Sequence, residues 1–344
     1  MTAFRLGLVG AGRMGRTHLR AIAGSGVIAI AAVAEPSEQT RAGLADAGLP
    51  LHASVPEMLD RCELDGVLIA APSDQHVRLI GEVAAYGLPI LCEKPCGLSS
   101  TQASAAAQTA AAAGVPLRVA YWRRYVPALR AVRDRIAAGE LGGVHLVTCC
   151  QWDAGPPAAA FREHSGGIAI DMGVHEFDQL RWLTGQDISD VKAVAAGLIS
   201  DPEVTGDVDS AQIIAALSGG TTGFISLGRH HPAGDMARAE VFGTGGTLAC
   251  DFLDPADGER AQLEALLRQA EGFAAVASGG SAGGYSGATG DDAVAALRAA
   301  EQVSAAIPAL AGACARTPAC RRSVTPWRSR RRSGGGWPSA RFKG

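Results

Sequence analysis

Residues 4–22 read FRLGLVGAGRMGRTHLRAI. An apolar run over 4–9 turns through Gly10-Ala11-Gly12-Arg13-Met14-Gly15 into a stretch of helical character. This is G-x-G-x-x-G in the strand–turn–helix setting of a dinucleotide-binding unit. Gly10 permits the tight turn, Gly12 lets the backbone approach a pyrophosphate, and Gly15 lets helix and strand pack closely. The helix N-terminus offers free N–H groups and the positive end of its dipole to the phosphates. A glycine pattern alone is weak evidence, but a second mark follows. Residues 27–36, VIAIAAVAEP, form a β-type run that ends in Glu35, 20 residues after Gly15. An acidic side chain there accepts hydrogen bonds from both adenosine ribose hydroxyls and repels a 2′-phosphate. The cofactor therefore reads as NAD, with NADP left open because Arg41 lies nearby.

The alternation continues outward. Residues 57–61 read as helix, 66–73 (GVLIAAPS) as a buried parallel-type strand, and 75–87 as helix. Residues 89–95 (PILCEKP) read as strand and turn. An alanine-rich helix over 99–113 is stopped by Gly114-Val115-Pro116, and 117–121 is a further strand. Strand–helix repeats of this length predict a doubly wound parallel sheet, an α/β Rossmann domain over residues 1–120. Ligands in such sheets sit beyond the carboxyl ends of the strands. The ends that matter are the glycine loop with Ala11, Arg13 and Met14, then Glu35, the Pro72–His76 turn, and Glu93-Lys94-Pro95. An ammonium at Lys94 would lie where it can stabilise negative charge developing on a substrate oxygen. The bland alternative is a solvated lysine after a strand.

After Tyr121 the pattern changes to an amphipathic helix followed by β-type runs at 144–152, 191–199, 211–217, 222–228 and 239–250. The last contains Gly243-Thr244-Gly245-Gly246, a hairpin signal. Few helices intervene, so residues 121–310 read as an α+β domain with a large, mostly antiparallel open sheet. One face of such a sheet lacks local cover, which predicts a homodimer or homotetramer built through it. Residues 263–276 and 291–306 read as helices, joined by the glycine–serine stretch 278–290.

At 344 residues, 47% hydrophobic and 19% charged, the chain has the composition of a globular protein rather than a disordered one. Its apolar runs are too short to span a membrane, and the N-terminus has no basic leader region, which predicts a cytoplasmic location. Eight cysteines contain no C-x-x-C and match no zinc spacing, so they read as reduced thiols with no metal site. From Arg316 onward there are nine Lys/Arg and no Asp/Glu, leaving 22 basic against 34 acidic residues before it. Residues 317–344 have no helical or strand period, and the domain is drawn to end at 310 with 311–344 as a separate tail. They read as a disordered basic tail without the positioned elements of a nucleic-acid partner.

One helix remains to be explained. Residues 166–185, GGIAIDMGVHEFDQLRWLTG, place Asp171, His175 and Asp178 on one helical stripe. The three could be metal ligands, a hydrogen-bonded core group or an acid–base pair. No H-E-x-x-H accompanies them. A carboxylate beside His175 would favour its protonated form and fix its tautomer.

Taken together these residues resemble the glucose–fructose oxidoreductase/inositol dehydrogenase (Gfo/Idh/MocA) family. The resemblance is carried by the 10–15 loop, Glu93-Lys94-Pro95, Arg123-Arg124-Tyr125, and Gly166-Gly167 followed by Asp171, His175 and Asp178, over about residues 4–306. It implies an active site between the two domains, with Lys94, Asp171 and His175 as the catalytic trio. His175 would take a substrate hydroxyl proton, Lys94 would bond the same oxygen, and Asp171 would orient the site. Arg124 and Asp153 would join these three in holding a small polyol or sugar. The implied reaction is NAD-linked oxidation of a cyclitol or pyranose, of the inositol 2-dehydrogenase kind. Two departures stand out: Val126 replaces a frequent aspartate, and residues 254–290 are shortened and glycine-rich. A sugar ketoreductase running the opposite way, or a non-catalytic dinucleotide sensor, are the competing readings.

Overall fold

The computed structural model describes residues 3–197, 207–253, 257–280 and 287–314. The basic stretch from residue 315 and the centre of the glycine–serine connector lie outside them. The first half runs β1 (Phe4–Val9), α1 (Arg13–Ile22), β2 (Ile28–Ala34), α2 (Glu38–Ala42), β3 (Leu51–His52), α3 (Val55–Arg61), β4 (Gly66–Ile69), α4 (His76–Ala85), β5 (Ile90–Glu93), α5 (Ser100–Ala112) and β6 (Leu117–Ala120). All six strands are parallel, in the order β3-β2-β1-β4-β5-β6. The order reverses between β1 and β4, and the glycine loop leaves β1 at that switch point. Strands β4 and β5 are buried along their whole length, as strands covered by helices on both faces must be. Ser54 and Ser99 cap α3 and α5 by accepting from the amides of Glu57 and Gln102.

The second half runs α6 (Pro127–Ala137), β7 (Val144–Trp152), α7 (Ala159–Ser165), a π turn (Ala169–Gly173), α8 (Val174–Thr184), β8 (Ile188–Ala196), β9 (Ser210–Leu217), β10 (Thr222–Gly228), β11 (Met236–Gly243) and β12 (Gly246–Leu253). These strands form a second sheet, β12-β11-β7-β10-β9-β8, antiparallel except for the β7–β10 pair. The 243–246 hairpin joins β11 to β12, with Gly243 opposite Gly246. Helix α8 covers the inner face, pressing Leu180 against Gly223, where a Cβ would lie 2.6 Å from the leucine. The outer face carries the exposed side chains of Val194, Ile214 and Phe224.

The last two helices return to the first half. Helix α9 (Gly258–Ala277) inserts Ala270, Phe273 and Ala274 into the core formed by Leu6, Leu8, Ile28 and Leu68. Phe273 meets Phe4 edge-on at 6.0 Å. Helix α10 (Gly290–Cys314) packs on α5, α8 and β8, so it touches both halves. It extends to Cys314, beyond the 291–306 expected from sequence and into the stretch assigned to the tail. Each buried aromatic at such a junction contributes roughly 1.5–3 kcal/mol. The two sheets are thereby fixed against each other with a cleft between their rims.

Candidate active site

The glycine loop behaves as its spacing predicts. Gly10 has φ +89°, and a Cβ there would lie 2.8 Å from the Ala70 carbonyl oxygen. A Cβ on Gly15 would lie 2.1 Å from the Gly10 oxygen, so helix and turn touch directly. A Cβ on Gly12 would meet nothing within 4 Å; it would project into open space. The first turn of α1 has no side-chain cap and no acidic residue, which leaves its N–H groups free for an anion. A groove of about 890 Å³ runs from Gly10, Gly12, Arg13 and Met14 past Glu35 and Pro36 to Ser54 and Pro72. These residues fit a dinucleotide, and the open space at Gly12 would let its phosphates approach the backbone.

Glu35 is committed to the protein as well as to the groove. Its Oε2 accepts from Ala11 N at 2.8 Å and its Oε1 from Ser37 N at 2.9 Å. Each oxygen keeps a second lone pair for a ribose hydroxyl. Arg41 donates to the main-chain oxygens of Glu35 and Pro36 at 2.6 and 2.8 Å. Ala11 is fully buried behind this clamp.

The rim beyond β4 and β5 is stapled from below. His76 is buried, with Nδ1 2.7 Å from the Pro95 oxygen and Nε2 2.9 Å from the Ala71 oxygen. Each ring nitrogen thus faces a backbone carbonyl, and the one that carries the proton donates to it. Burial holds its pKa below the ordinary histidine value despite those two carbonyls. His76 therefore joins the turn after β4 to Lys94-Pro95. Glu93, also buried, has Oε1 2.7 Å from His18 Nε2 and accepts from Lys94 N at 3.2 Å. His18 lies on α1, so this pair ties the nucleotide helix to the lysine turn. Sequence reasoning missed it because the two residues are 75 positions apart.

A second cleft of about 760 Å³ continues from the groove, sharing Arg13, Met14 and residues 70–73 with it. Its walls include Lys94, Trp122, Arg123, Gln151, Asp153, Asp171 and His175. Lys94 Nζ donates to the Asp171 main-chain oxygen at 2.6 Å and to Asp171 Oδ1 at 3.2 Å. The other carboxylate oxygen, Oδ2, accepts from Arg229 at 3.3 Å. Against the cost of its burial, the two cations hold the Asp171 carboxyl below its ordinary pKa.

The expected Asp171–His175 pair does not form as drawn. Asp171 sits in the π turn, preceded by Gly166 and Gly167 at φ +79° and +83°. A π turn holds more residues than 3.6, so positions four apart no longer stack. Among the described residues, no hydrogen bond joins the two side chains. His175 lies instead edge-to-face with Tyr121 and Trp122, at 5.9 and 6.5 Å. Its Nδ1 is buried without a partner, which leaves Nε2 as the nitrogen that reaches the cleft. Burial, then Lys94 and Arg123, push its pKa well below the ordinary value. This reverses the expectation that a carboxylate would favour the protonated ring: at neutral pH the imidazole is uncharged.

Asp153 lines the cleft, accepts from Gln151 at 3.0 Å, and has its pKa raised by burial. Arg124 does not line it. Its guanidinium grips Asp178 at 2.9 and 2.5 Å and reaches Asp292 at 3.2 Å, in the packing between α8 and α10. Arg123 is the arginine on the cleft wall, held by Glu176, by Gln151 at 2.5 Å and by Gln179 at 3.3 Å. Burial pulls its pKa down to about 10. No group of three or more His, Cys, Asp or Glu side chains placed to hold a metal ion occurs among the described residues.

Comparison with known proteins accords with this geometry. Residues 4–121 match the oxidoreductase family with an NAD-binding Rossmann fold, and 129–249 match the GFO/IDH/MocA C-terminal domain. The chain belongs to the GFO/IDH/MocA oxidoreductase family. It is 50% identical to the rhizopine catabolism protein MocA of Rhizobium meliloti over 301 residues, 88% of this chain and 94% of that protein. It is 33% identical to an inositol 2-dehydrogenase of R. meliloti strain 1021, over 77% of this chain and 80% of that one. Among solved structures it is similar to a myo-inositol dehydrogenase from Corynebacterium glutamicum, with TM-score 0.78 and 27% identity, over 89% of this chain and 97% of that one. As a family member the chain is an NAD-linked dehydrogenase acting on CH–OH groups. No helix among its described residues is long and apolar enough to cross a membrane.

Proposed function

We propose that this enzyme oxidises a ring hydroxyl of a cyclitol or pyranose, as an inositol 2-dehydrogenase does, with Lys94, Asp171 and His175 as its working groups. The observation that carries this reading is the meeting of Lys94 and Asp171 beside His175 in a cleft continuous with the dinucleotide groove. When bound, NAD supplies the hydride acceptor. His175 Nε2, uncharged and facing the cleft, takes the hydroxyl proton as the carbon is oxidised. The Lys94 ammonium donates to the same oxygen and stabilises the charge that develops on it. Asp171 keeps Lys94 aimed into the cleft. Asp153, with Gln151 beside it, offers acceptors to neighbouring hydroxyls of a polyol. Arg124 has no part in this substrate contact.

Hydride transfer is reversible, so the same groups would serve a ketoreductase. A sensor that only bound the dinucleotide would have no use for an aimed lysine and an uncharged imidazole in one cleft. We also propose that the outer face of the second sheet joins copies of the chain, since Val194, Ile214 and Phe224 stand exposed there, and that the enzyme works in the cytoplasm. A screen of cyclitols and pyranoses with NAD and NADP, read by cofactor absorbance, tests the reading. NAD-linked oxidation of at least one polyol is expected. Absence of turnover with every polyol, and with the matching ketones and reduced cofactor, would overturn it.

A further inference from the structure

Arg229 follows β10 and is 1% exposed. Its main-chain N donates to the Asp209 oxygen at 2.8 Å, which pins it to the end of the β9–β10 pair. A buried guanidinium is tolerated only when paired. Arg229 is paired twice: with Asp171 Oδ2 at 3.3 Å and with Asp207 Oδ2 at 2.9 Å. Asp207 in turn uses Oδ1 to accept from Ile168 N at 2.8 Å and Val208 N at 2.9 Å. It thus caps the helical segment that carries Asp171. The series Asp207, Arg229, Asp171, Lys94 alternates in sign from the second sheet to the rim of the first.

We propose that Arg229 is a positioning residue, which acts on the reacting oxygen only through Asp171 and Lys94. It occupies one oxygen of the Asp171 carboxylate, so that the other is left to Lys94. Without it the carboxylate is free to rotate and to draw the ammonium off the substrate. This rests on the catalytic reading above. The charged and titratable groups facing Asp171 are Lys94 from the turn after β5, Arg229, and Asp153 from the end of β7. His175, one turn along, faces Lys94 and Arg123. Asp207 faces Arg229 from the far side.

The test is a double-mutant cycle of Arg229→Met and Asp171→Asn. Arg229→Met should lower kcat about 10- to 100-fold, as misplacement of a catalytic group does, with the KM for NAD unchanged. In the Asp171→Asn background it should change kcat by less than about threefold, because the group it acts through is already lost. Arg229→Lys, which keeps the charge, should restore part of the loss; if the Met variant does not fold, the Lys variant takes its place in the cycle. A substrate-free readout runs beside it. The pH midpoint of acid unfolding should move upward in Arg229→Met, because Asp171 would be protonated at higher pH, and should move by clearly less in the Asp171→Asn background, where only the Asp207 pair is left to lose. If wild type oxidises no polyol, the catalytic reading fails while the unfolding cycle still tests the coupling. Equal effects of Arg229→Met in both backgrounds, by either readout, would overturn the proposal.

Discussion

Lys94 and Asp171, 77 residues apart, meet where the first sheet's rim faces the second, with the ammonium 2.6 Å from the aspartate's main-chain oxygen and 3.2 Å from its carboxylate. The main-chain contact fixes where the lysine sits, and the carboxylate adds a second acceptor that aims it. Lys94→Ala should therefore slow turnover by about 10²-fold or more, as loss of an oxyanion partner does. NAD affinity, measured by fluorescence titration, should stay within about threefold, because the Lys94 side chain lines the second cleft and not the dinucleotide groove. Wild-type turnover in this variant would remove Lys94 from the chemistry.

The uncharged state of His175 gives a pH prediction with a definite sign. Its folded pKa lies well below the ordinary value of ~6.5. The stability it contributes is complete above ~6.5 and is lost as pH falls from there toward the folded value, because only the unfolded chain takes up the proton. The slope is at most ~1.4 kcal/mol per pH unit for one proton. Denaturant midpoints of wild type and His175→Gln, compared from pH 7 downward, should differ in slope by that single proton. His175→Ala should also cut kcat by about 10²-fold or more.

Arg124 and Asp178 form a buried two-point ion pair away from the cleft. Arg124→Met leaves Asp178 buried without its main partner, which costs on the order of 3–5 kcal/mol. Thermal unfolding should register that loss, while the KM for substrate stays within about threefold of wild type. A large rise in KM with unchanged stability would return Arg124 to the substrate pocket.

Glu35 clamps the amides of Ala11 and Ser37 as well as facing the groove. Glu35→Ala should weaken NAD binding by about tenfold and narrow the preference over NADP, since the charge that repels a 2′-phosphate is gone. Parallel titrations with the two cofactors read both effects. An unchanged preference would mean that Arg41, rather than Glu35, sets it.

The exposed trio on the outer sheet gives a test of assembly. Ile214, 54% exposed, stands opposite Phe224 on the neighbouring strand. Ile214→Glu should reduce the mass measured by light scattering toward that of a single chain, because a charge at the centre of an apolar contact is costly to desolvate. A wild-type protein already monomeric at micromolar concentration would end that idea.

Much of this was legible before any coordinates. The glycine spacing, the strand ending in Glu35 and the Glu-Lys-Pro turn are local patterns, set by φ angles and close approaches within a few residues, and the structure places them as read. The 243–246 hairpin is local in the same sense. What the linear chain left open was which charges meet. The stripe of Asp171, His175 and Asp178 assumed an unbroken α-helix, and the π turn after Gly166-Gly167 took Asp171 off it. Asp178 went to Arg124, and Asp171 went to Lys94 and Arg229. Nothing in the segment 225–234 marks Arg229 as part of the site, because its partner lies 58 residues upstream.

By itself, then, the amino-acid order determined the two sheets and the nucleotide loop, and it singled out the candidate groups for the chemistry. Only the tertiary structure decided their protonation and pairing. Burial and opposite charge act through space, so the same histidine that a neighbouring carboxylate would have kept protonated is uncharged once packing gives that carboxylate to a lysine and an arginine.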